Sequence, residues 1–336
     1  MSTPAGGDVP PPQCKTILSG NVARKLLAEV KAGRDSLDRP PHLVGFLANE
    51  DPGAKMYADW TEKTFTENNF RYTLRKVSRE TIEEDILDAN VDPDVDGIIV
   101  YYPIYNNRQD EYLRQCVDIS KDVEGLCHRY IFNMYQNIRY LDREEKQKSI
   151  LPCTPLGVIK ILEYLQIYNT ILPYGNRLFG HTVAVINRSE VVGRPLAALL
   201  ANDGAKVYSI DITGVQQFTR GQGLKKKHHE VVDMPGTEPK DVLPECDVVI
   251  SGVPGEKFKV DNGLLREGVV CINFSSEKNF TPGVKEKASI YMPSTGKVTI
   301  VVLMRNLLRL VQNASSDANV RPGDVADEAE TAGSGQ

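Results

Sequence analysis

The sequence predicts an α/β protein with two α/β domains built on parallel sheets, the second a Rossmann-type dinucleotide-binding domain. Two observations predict this class. Short apolar runs alternate with amphipathic segments along most of the chain, which is typical of βαβ units on a parallel sheet. The chain has 336 residues, enough for about two domains that each bury a core.

Composition and charge are those of an ordinary globular protein. The chain is 41% hydrophobic and 25% charged, and its formal net charge is −5. This charge gives no electrostatic reason to expect a nucleic-acid or anionic-membrane partner. We find no apolar run long enough for a transmembrane helix, and no secretory signal at the N-terminus. The scattered cysteines, without a C-x-x-C pair, predict a reduced cytoplasmic or nuclear location and no metal site.

The first half of the chain alternates helices and strands. Residues 1–13 are rich in Pro and Gly and are expected to be disordered. The irregular, Tyr-rich stretch Asp122–Asp142 suits a functional loop. The apolar periods predict helices at Asn21–Lys31, Ala54–Glu67, Thr81–Asp88 and Asp110–Val117, and strands at His42–Ala48, Phe70–Val77 and Gly97–Pro103.

The second half continues the alternation. Thr154 is expected to cap a helix that runs to Gln166. A polar excursion from Thr213 to Pro244, with the basic run Lys225–His229, should be a solvated surface segment. Residues 315–336 are expected to form a disordered tail. The apolar runs predict strands at Thr182–Ile186, Lys206–Asp211, Asp247–Gly255 and Val269–Ser275, and a long amphipathic helix at Thr299–Val311.

The stretch His181–Asp203 is the candidate cofactor-binding segment. A buried strand passes through the turn Asn187–Gly193 into a helix that we predict from Pro195. Backbone N–H groups at a helix N-terminus favour a bound phosphate. Gly193 is the only glycine in the turn, so the spacing alone leaves a nucleotide site and an ordinary strand-to-helix connection equally open.

Asp211 favours the nucleotide site. It ends the second strand 18 positions after Gly193, where a carboxylate can accept both ribose hydroxyls of an adenosine and would repel a ribose phosphate. The alternative is a solvated carboxylate at a strand end. We predict a dinucleotide site that prefers NAD over NADP. Because ligands bind at the carboxyl ends of parallel strands, we also expect cofactor contacts from Ile212, Gly252, Val253, Asn273 and Phe274.

Three features of the other half could carry substrate chemistry, and each has a structural alternative. Cys153 precedes a helix whose dipole would stabilise a thiolate, or it is a small buried residue at a domain junction. Tyr57 could present its ring at the end of the first strand, or it could belong to the core. The two carboxylates in Lys121–Gly125 could serve a site or a solvated loop.

Six short segments together resemble the methylenetetrahydrofolate dehydrogenase/cyclohydrolase family. They are MYADWTEK around Tyr57, VYYP at Val100–Pro103, KDVEG at Lys121–Gly125, PCTP at Pro152–Pro155, NRSEVVGRP at Asn187–Pro195 and GKVT at Gly296–Thr299. These segments occur along the chain in the same order as in the family. The resemblance implies two domains separated by a cleft, with folate bound by residues 14–153 plus 299–314 and NAD by residues 154–298. It also implies a homodimer.

The resemblance assigns folate-binding roles. Tyr57 resembles the tyrosine that stacks on the folate. Tyr101, Tyr102 and Pro103 resemble the strand-end segment that lines the folate pocket. Glu124 stands where the family usually has Asp, whose carboxylate holds the pterin amino group, and the additional methylene displaces that charge.

The resemblance also separates two activities. Arg188 and Ser189 resemble the cofactor-turn pair, and Cys153 stands at an active-site position. Thr61 replaces the lysine that bifunctional members need for cyclohydrolase chemistry. Lys63 is two residues further on, about 200° round the helix, and therefore lies on a different face.

The chain therefore resembles the monofunctional NAD-dependent branch of the family, the fungal type. This implies oxidation of 5,10-methylenetetrahydrofolate by hydride transfer, in the one-carbon metabolism that supplies purine biosynthesis. The alternatives are a bifunctional enzyme that uses another group in place of the lysine, and a catalytically silent NAD-binding protein.

Overall fold

The computed structural model describes residues 13–221 and 228–318. The chain divides into two compact units. Among the described residues, the small-sheet unit comprises residues 25–156 and 299–318, and the large-sheet unit comprises residues 13–24, 157–221 and 228–298. In chain order the first half forms β1 (Lys15–Thr16), α1 (Ser19–Asp35), β2 (His42–Leu47), α2 (Pro52–Glu67), β3 (Arg71–Lys76), α3 (Ile82–Val91), β4 (Gly97–Val100), α4 (Arg108–Cys116) and α5 (His128–Tyr135).

The small-sheet unit is a parallel sheet of three strands in the order β3, β2, β4. All six residues of the central strand are buried, so it reads in the sequence as a continuous apolar run. Val44, Phe46 and Ile98 pack with Ile86 of α3 in one apolar core. The strands and helices predicted for this region are confirmed, with ends shifted by a few residues.

Two predictions for the small-sheet unit are wrong in part. The strand predicted to reach Pro103 ends at Val100, because the carbonyl oxygens of Tyr101 and Pro103 bond the Asn49 side chain instead of a neighbouring strand. The stretch expected to be irregular contains α5. Its buried positions follow a helical spacing, but the polar Asn133 occupies one of them and hides the apolar period.

The second half forms the large sheet and the long last helix. Its elements are α6 (Cys153–Tyr164), β5 (Thr182–Ile186), α7 (Gly193–Asn202), β6 (Lys206–Asp211), β7 (Gly214–Thr219), β8 (Glu230–Asp233), α8 (Pro239–Val242), β9 (Val248–Ser251), β10 (Val270–Asn273), α9 (Val284–Lys287), β11 (Ile290–Met292) and α10 (Gly296–Ala318). The sheet order is β1, β11, β10, β9, β5, β6, β7, β8. Neighbours from β1 to β6 in this order pair in parallel, and β7 and β8 add antiparallel pairs at one edge.

The large-sheet unit confirms the Rossmann-type α/β class and corrects its details. The strands β5 and β6 have the predicted bounds. The polar excursion expected from Thr213 to Pro244 instead contains β7, β8 and α8. Gly214, with a φ of +112°, starts a tight hairpin after β6, and an edge hairpin can be polar because only part of it is covered.

Both ends of the chain also differ from the predictions. Lys15 pairs with Ile290, so residues 14–24 lie with the large-sheet unit and not with the first domain. Both residues of β1 are exposed, which removes any apolar signal. The helix α10 continues to Ala318, past residue 315, where a disordered tail was expected. The expectations for residues 1–12, 222–227 and 319–336 lie outside the described residues. Within the described ranges, no helix combines the length and apolarity needed to cross a membrane.

Candidate active site

An aromatic cluster stands at the carboxyl end of the small sheet. The rings of Tyr57 and Tyr101 meet edge to face, with centroids 5.8 Å apart and an interplanar angle of 82°. The hydroxyls of Tyr101 and Tyr72 are hydrogen-bonded at 2.8 Å. A Cβ on Gly45 would lie 2.6 Å from the Tyr72 hydroxyl and 3.0 Å from Cε2 of Tyr101, so the glycine of β2 makes room for both rings.

Thr61 lies on α2, one turn after Tyr57. It is fully buried, and its hydroxyl donates to the Tyr57 carbonyl oxygen at 2.8 Å. The side chain of Lys63 is 74% exposed, and its Nζ lies 3.9 Å from the carboxylate of Glu67. Thr61 is therefore a buried hydroxyl, while Lys63 faces solvent.

The segment Tyr101–Pro103 is fixed by polar contacts that the sequence did not reveal. Asn49, just after β2, donates through Nδ2 to the carbonyl oxygens of Tyr101 at 2.7 Å and Pro103 at 2.8 Å. Asp110 is buried, and its carboxylate accepts the three successive backbone N–H groups that follow, those of residues 104–106. The position of Asn49 at a strand end is the one sequence signal that could have identified it.

The loop that carries Glu124 is built around Asp122. The buried Asp122 carboxylate accepts backbone N–H groups of Glu124 at 3.1 Å, Gly125 at 2.9 Å and Cys127 at 2.8 Å. Gly125 has a φ of +66°, which suits a glycine. The alternative of a solvated loop is therefore wrong for Asp122, whose carboxylate organises the turn.

Glu124 is partly buried and lies within electrostatic reach of Tyr57 and Cys153. Burial raises the pKa of the Glu124 carboxyl to about 8, and the neighbouring Asp122 carboxylate adds to the rise. A backbone hydrogen bond at Val100 acts in the opposite direction. The structure therefore brings Glu124 near Tyr57 and Tyr101, which the sequence also assigned to the folate, and near Cys153, which it placed at an active-site position.

Cys153 is the first residue of α6, where a thiolate would gain from the helix dipole. It is buried, and its Sγ lies 3.4 Å from both the Val123 carbonyl oxygen and Nδ2 of Asn306. Burial raises the pKa of the thiol well above its ordinary value, and the nearby carboxylates of Glu124 and Asp122 raise it further. Burial and the two carboxylates disfavour a thiolate, and the geometry fits a thiol that packs.

We predict that Cys153→Ala keeps most of the turnover. Loss of a buried hydrogen-bonding group should cost about 1 kcal/mol of unfolding free energy. The fall in kcat should stay far below the hundredfold or more that removal of a proton-transfer group costs. Steady-state kinetics and thermal denaturation measure both. In the native protein Cys153 should resist alkylation while the partly exposed Cys116 reacts, and rapid alkylation of Cys153 would contradict this assignment.

The cofactor turn is held by Asn187. This residue has a φ of +100°, and its side chain accepts the Ser189 N–H at 2.8 Å and donates to the Gly252 carbonyl oxygen at 2.6 Å. A Cβ on Gly193 would stand 1.8 Å from the Asn187 carbonyl oxygen, so the first residue of α7 has to be glycine. The helix starts there and not at Pro195.

The Arg188 side chain is hydrogen-bonded to other residues of the protein. Its Nε donates to the Ser209 hydroxyl at 3.0 Å, and its terminal nitrogens donate to the Thr213 hydroxyl at 3.1 Å and to the Gly214 carbonyl oxygen at 2.7 Å. A further bond reaches the Ser209 carbonyl oxygen at 2.6 Å. The guanidinium therefore anchors the hairpin of β6 and β7, which limits its use as a phosphate ligand.

Asp211 stands beside a cavity of about 560 Å³ within the large-sheet unit. Its carboxylate accepts the backbone N–H of Arg188 at 2.7 Å and that of Ile212 at 2.8 Å. The sheet order places β6 on one side of β5 and β9 on the other, so the cavity lies at the switch point of the sheet. It is lined by Ile186, Asn187, Ile210, Asp211, Ile212, Pro239, Leu243, Val253, Pro254, Phe258, Lys259, Val260, Asp261 and Leu264.

Three of the predicted cofactor residues, Asp211, Ile212 and Val253, line this cavity. The other predicted residues are not part of its lining. A Cβ on Gly252 would come within 1.8 Å of the Phe274 ring, and Asn273 is buried with its amide donating to three carbonyl oxygens. The Ser189 hydroxyl accepts the N–H groups that open α7. The apolar wall, which includes Leu243 and Phe258, was missed because its residues are scattered over separate segments.

An open α/β sheet with a cavity at its switch point and an acid at the end of its second strand defines a dinucleotide-binding α/β protein. Two family models refine that class. The catalytic domain of tetrahydrofolate dehydrogenase/cyclohydrolase matches residues 16–124, and the NAD(P)-binding domain of the same family matches residues 152–232. The chain belongs to the tetrahydrofolate dehydrogenase/cyclohydrolase family.

Individual relatives resemble the chain over most of its length. The methylenetetrahydrofolate dehydrogenase [NAD(+)] of Schizosaccharomyces pombe is 56% identical over 88% of this chain and 93% of its own. The protein of the same description from Dictyostelium discoideum is 43% identical over 82% of this chain and 88% of its own. The solved NAD-dependent 5,10-methylenetetrahydrofolate dehydrogenase of Saccharomyces cerevisiae superposes with a TM-score of 0.87 at 52% identity, covering 91% of this chain and 99% of that one.

Proposed function

We propose that this protein oxidises 5,10-methylenetetrahydrofolate to 5,10-methenyltetrahydrofolate by hydride transfer to NAD, and that it does not hydrolyse the product. The observation that carries the proposal is the buried hydroxyl of Thr61, which donates to the Tyr57 carbonyl oxygen. The resemblance implies that bifunctional members have a lysine at this position. The similarity to NAD-dependent methylenetetrahydrofolate dehydrogenases from three organisms supports the dehydrogenase activity.

The large-sheet unit fits NAD. Its cavity offers an apolar wall for a flat base, and Asp211 offers carboxylate oxygens to ribose hydroxyls. The same charge would repel a ribose phosphate, and the guanidinium of Arg188 is already engaged on the hairpin. Bound NAD supplies the hydride acceptor.

The small-sheet unit binds and orients the folate. The Tyr57 ring provides a face for stacking on the pterin, and its edge-to-face contact with Tyr101 limits the ring's freedom. The Glu124 carboxylate accepts the pterin amino group. The methylene carbon loses a hydride, and the positive charge is shared between the two flanking nitrogens, so the oxidation requires orientation and no proton transfer.

Hydrolysis of the methenyl product would require proton transfers. The Thr61 hydroxyl is neutral and already donates to a backbone carbonyl oxygen, and Lys63 is directed to solvent. Neither group can serve as the acid or base of that reaction. The methenyl product is therefore released intact.

The test is a cofactor-by-product assay with purified protein. We expect reduction of NAD with methylenetetrahydrofolate and much slower reduction of NADP. The methenyl product should accumulate and decay only at its spontaneous rate. Equal rates with NADP would show that Asp211 does not select NAD over NADP. Enzymatic decay of the methenyl product would refute the role of Thr61, and Lys63→Ala would then show whether Lys63 is responsible. Binding of NAD without folate binding or turnover would favour the silent alternative.

Further properties stay predictions from the sequence. They are the homodimer, the cytoplasmic and nuclear location, the supply of purine biosynthesis, and the absence of nucleic-acid and membrane partners. Light scattering on the purified protein tests the first of them.

A further inference from the structure

Asn279 lies in the loop that follows β10, and its side chain is fully buried. The side-chain oxygen accepts the backbone N–H of Val253 at 2.7 Å and the hydroxyl of Ser251 at 2.8 Å. The side-chain nitrogen donates to the Val253 carbonyl oxygen at 2.9 Å. One amide group therefore engages both backbone polar groups of Val253, which lies just after β9 and lines the cavity.

The backbone of Asn279 holds the other end of the same part of the cavity wall. Residues 253–260, here called the wall segment, include the lining residues Val253, Pro254, Phe258, Lys259 and Val260. The Val260 N–H donates to the Asn279 carbonyl oxygen at 2.8 Å. The Lys259 ammonium donates to the carbonyl oxygen of Lys278 at 2.7 Å. Asn279 and its neighbour therefore fasten the wall segment at both ends.

Asn279 is itself fixed to the large sheet. Its backbone N–H donates to the side-chain oxygen of Asn273, the buried last residue of β10, at 3.2 Å. The Val253 carbonyl oxygen also accepts the Ser275 hydroxyl at 3.0 Å, so the wall segment keeps a second contact when Asn279 is replaced. Replacement would still leave the buried Ser251 hydroxyl without its acceptor. Asn279 thus connects the end of β10 to both ends of the wall segment.

We propose that Asn279 is a positioning residue for the cofactor, which holds the wall segment in the shape that receives the adenosine half of NAD. This inference rests on the proposed function, because it concerns the cavity assigned there to NAD. A wall that is ordered before the ligand arrives spares the ligand the entropic cost of ordering it, and binding is stronger for that reason. Asn279 does not line the cavity, and it lies outside the six sequence segments.

The experiment measures the binding of ADP-ribose, which contains the adenosine half of NAD and no nicotinamide, by titration calorimetry. Asn279→Ala should weaken this binding roughly tenfold, because the ligand then has to order the wall segment itself. In steady-state kinetics the KM for NAD should rise by a similar factor. The kcat at saturating NAD and the KM for methylenetetrahydrofolate should stay close to their wild-type values, because the small-sheet unit is unaltered.

Asn202→Ala is the matched control. Asn202 is a buried asparagine of α7 in the same unit, its side-chain oxygen accepts the His229 backbone N–H at 2.9 Å, and it is not part of the cavity lining. This variant should lower the thermal midpoint of unfolding, as Asn279→Ala does, but keep the wild-type affinity for ADP-ribose. Ser251→Ala removes one of the two bonds to the Asn279 side-chain oxygen and should weaken ADP-ribose binding by a smaller factor, about two- to threefold.

Equal affinities for ADP-ribose in Asn279→Ala and the wild type, or an equal loss in Asn202→Ala, would overturn the inference. If Asn279→Ala does not fold, Ser251→Ala decides, and a wild-type affinity in that variant overturns the inference. A wild-type protein that binds ADP-ribose but does not oxidise methylenetetrahydrofolate would contradict the proposed function alone, and the same variants would still decide the role of Asn279. Absence of ADP-ribose binding to the wild type would overturn both.

Discussion

Replacing Asp211 by Asn is expected to raise the KM for NAD by roughly ten- to a hundredfold. A hydrogen bond to a charged group contributes about 1.5 to 3 kcal/mol, and each 1.4 kcal/mol is tenfold in affinity. Asn keeps the size of the side chain and one acceptor oxygen for the backbone N–H of Arg188 or Ile212, which both bond Asp211. Because the repulsion of a ribose phosphate disappears with the charge, the preference for NAD over NADP should shrink by a similar factor.

Steady-state kinetics with each cofactor measures this change. Glu245→Gln is the matched control, because it removes one negative charge from the turn that precedes β9, where Glu245 pairs with Lys206 at the start of β6. These are the amino ends of the strands, opposite to the cavity. An unaltered NAD preference in Asp211→Asn, or an equal change in Glu245→Gln, would show that Asp211 does not select the cofactor.

The parts of the fold that the sequence predicts are those whose burial is uniform. The strands β2, β5 and β9 are buried along nearly their whole length and give continuous apolar runs. The edge strands β1 and β8 are exposed along their whole length and carry no such signal. Their place in the sheet depends on pairing with distant strands, which a local pattern cannot contain.

The residues of the candidate site likewise fall into those that a local sequence pattern predicts and those that it does not. Asp211 and Tyr57 are predictable because their positions relative to strand ends are local. Asn306 is not. Its amide donates to the Val123 carbonyl oxygen, 183 residues away, at 2.9 Å. Such contacts exist only in the folded chain.

Cys153 shows why a local rule can give the wrong result. The helix dipole stabilises a negative charge by about 0.3 to 1 kcal/mol at an exposed helix terminus. Full burial can shift a pKa by several units, each worth about 1.4 kcal/mol. Cys153 is buried beside the carboxylates of Glu124 and Asp122, so desolvation and repulsion outweigh the dipole. Burial, which decides the outcome, is not visible at the helix start in the sequence.

Glu124→Gln is expected to stabilise the ligand-free protein at alkaline pH while it weakens folate binding. The pKa of Glu124 is raised to about 8 from an ordinary value of 4.5, so the native state binds a proton that the unfolded state releases between these values. The free energy of unfolding therefore falls as the pH rises from about 4.5 to 8 and is not reduced further above that. Each pKa unit is worth about 1.4 kcal/mol, which sets a ceiling of about 5 kcal/mol.

Gln cannot ionise, so the free energy of unfolding of the variant does not fall in this way between pH 4.5 and 8. Denaturation midpoints of the wild type and Glu124→Gln should coincide near pH 4.5 and separate progressively towards pH 8, with the variant the more stable. Glu62→Gln, at an exposed position of α2, is the control and should show no such pH-dependent gap. A constant difference across this range would mean that Glu124 keeps an ordinary pKa. A gap that opens as expected, together with a raised KM for the folate, would show that the carboxylate is retained at a cost in stability because the ligand requires its charge.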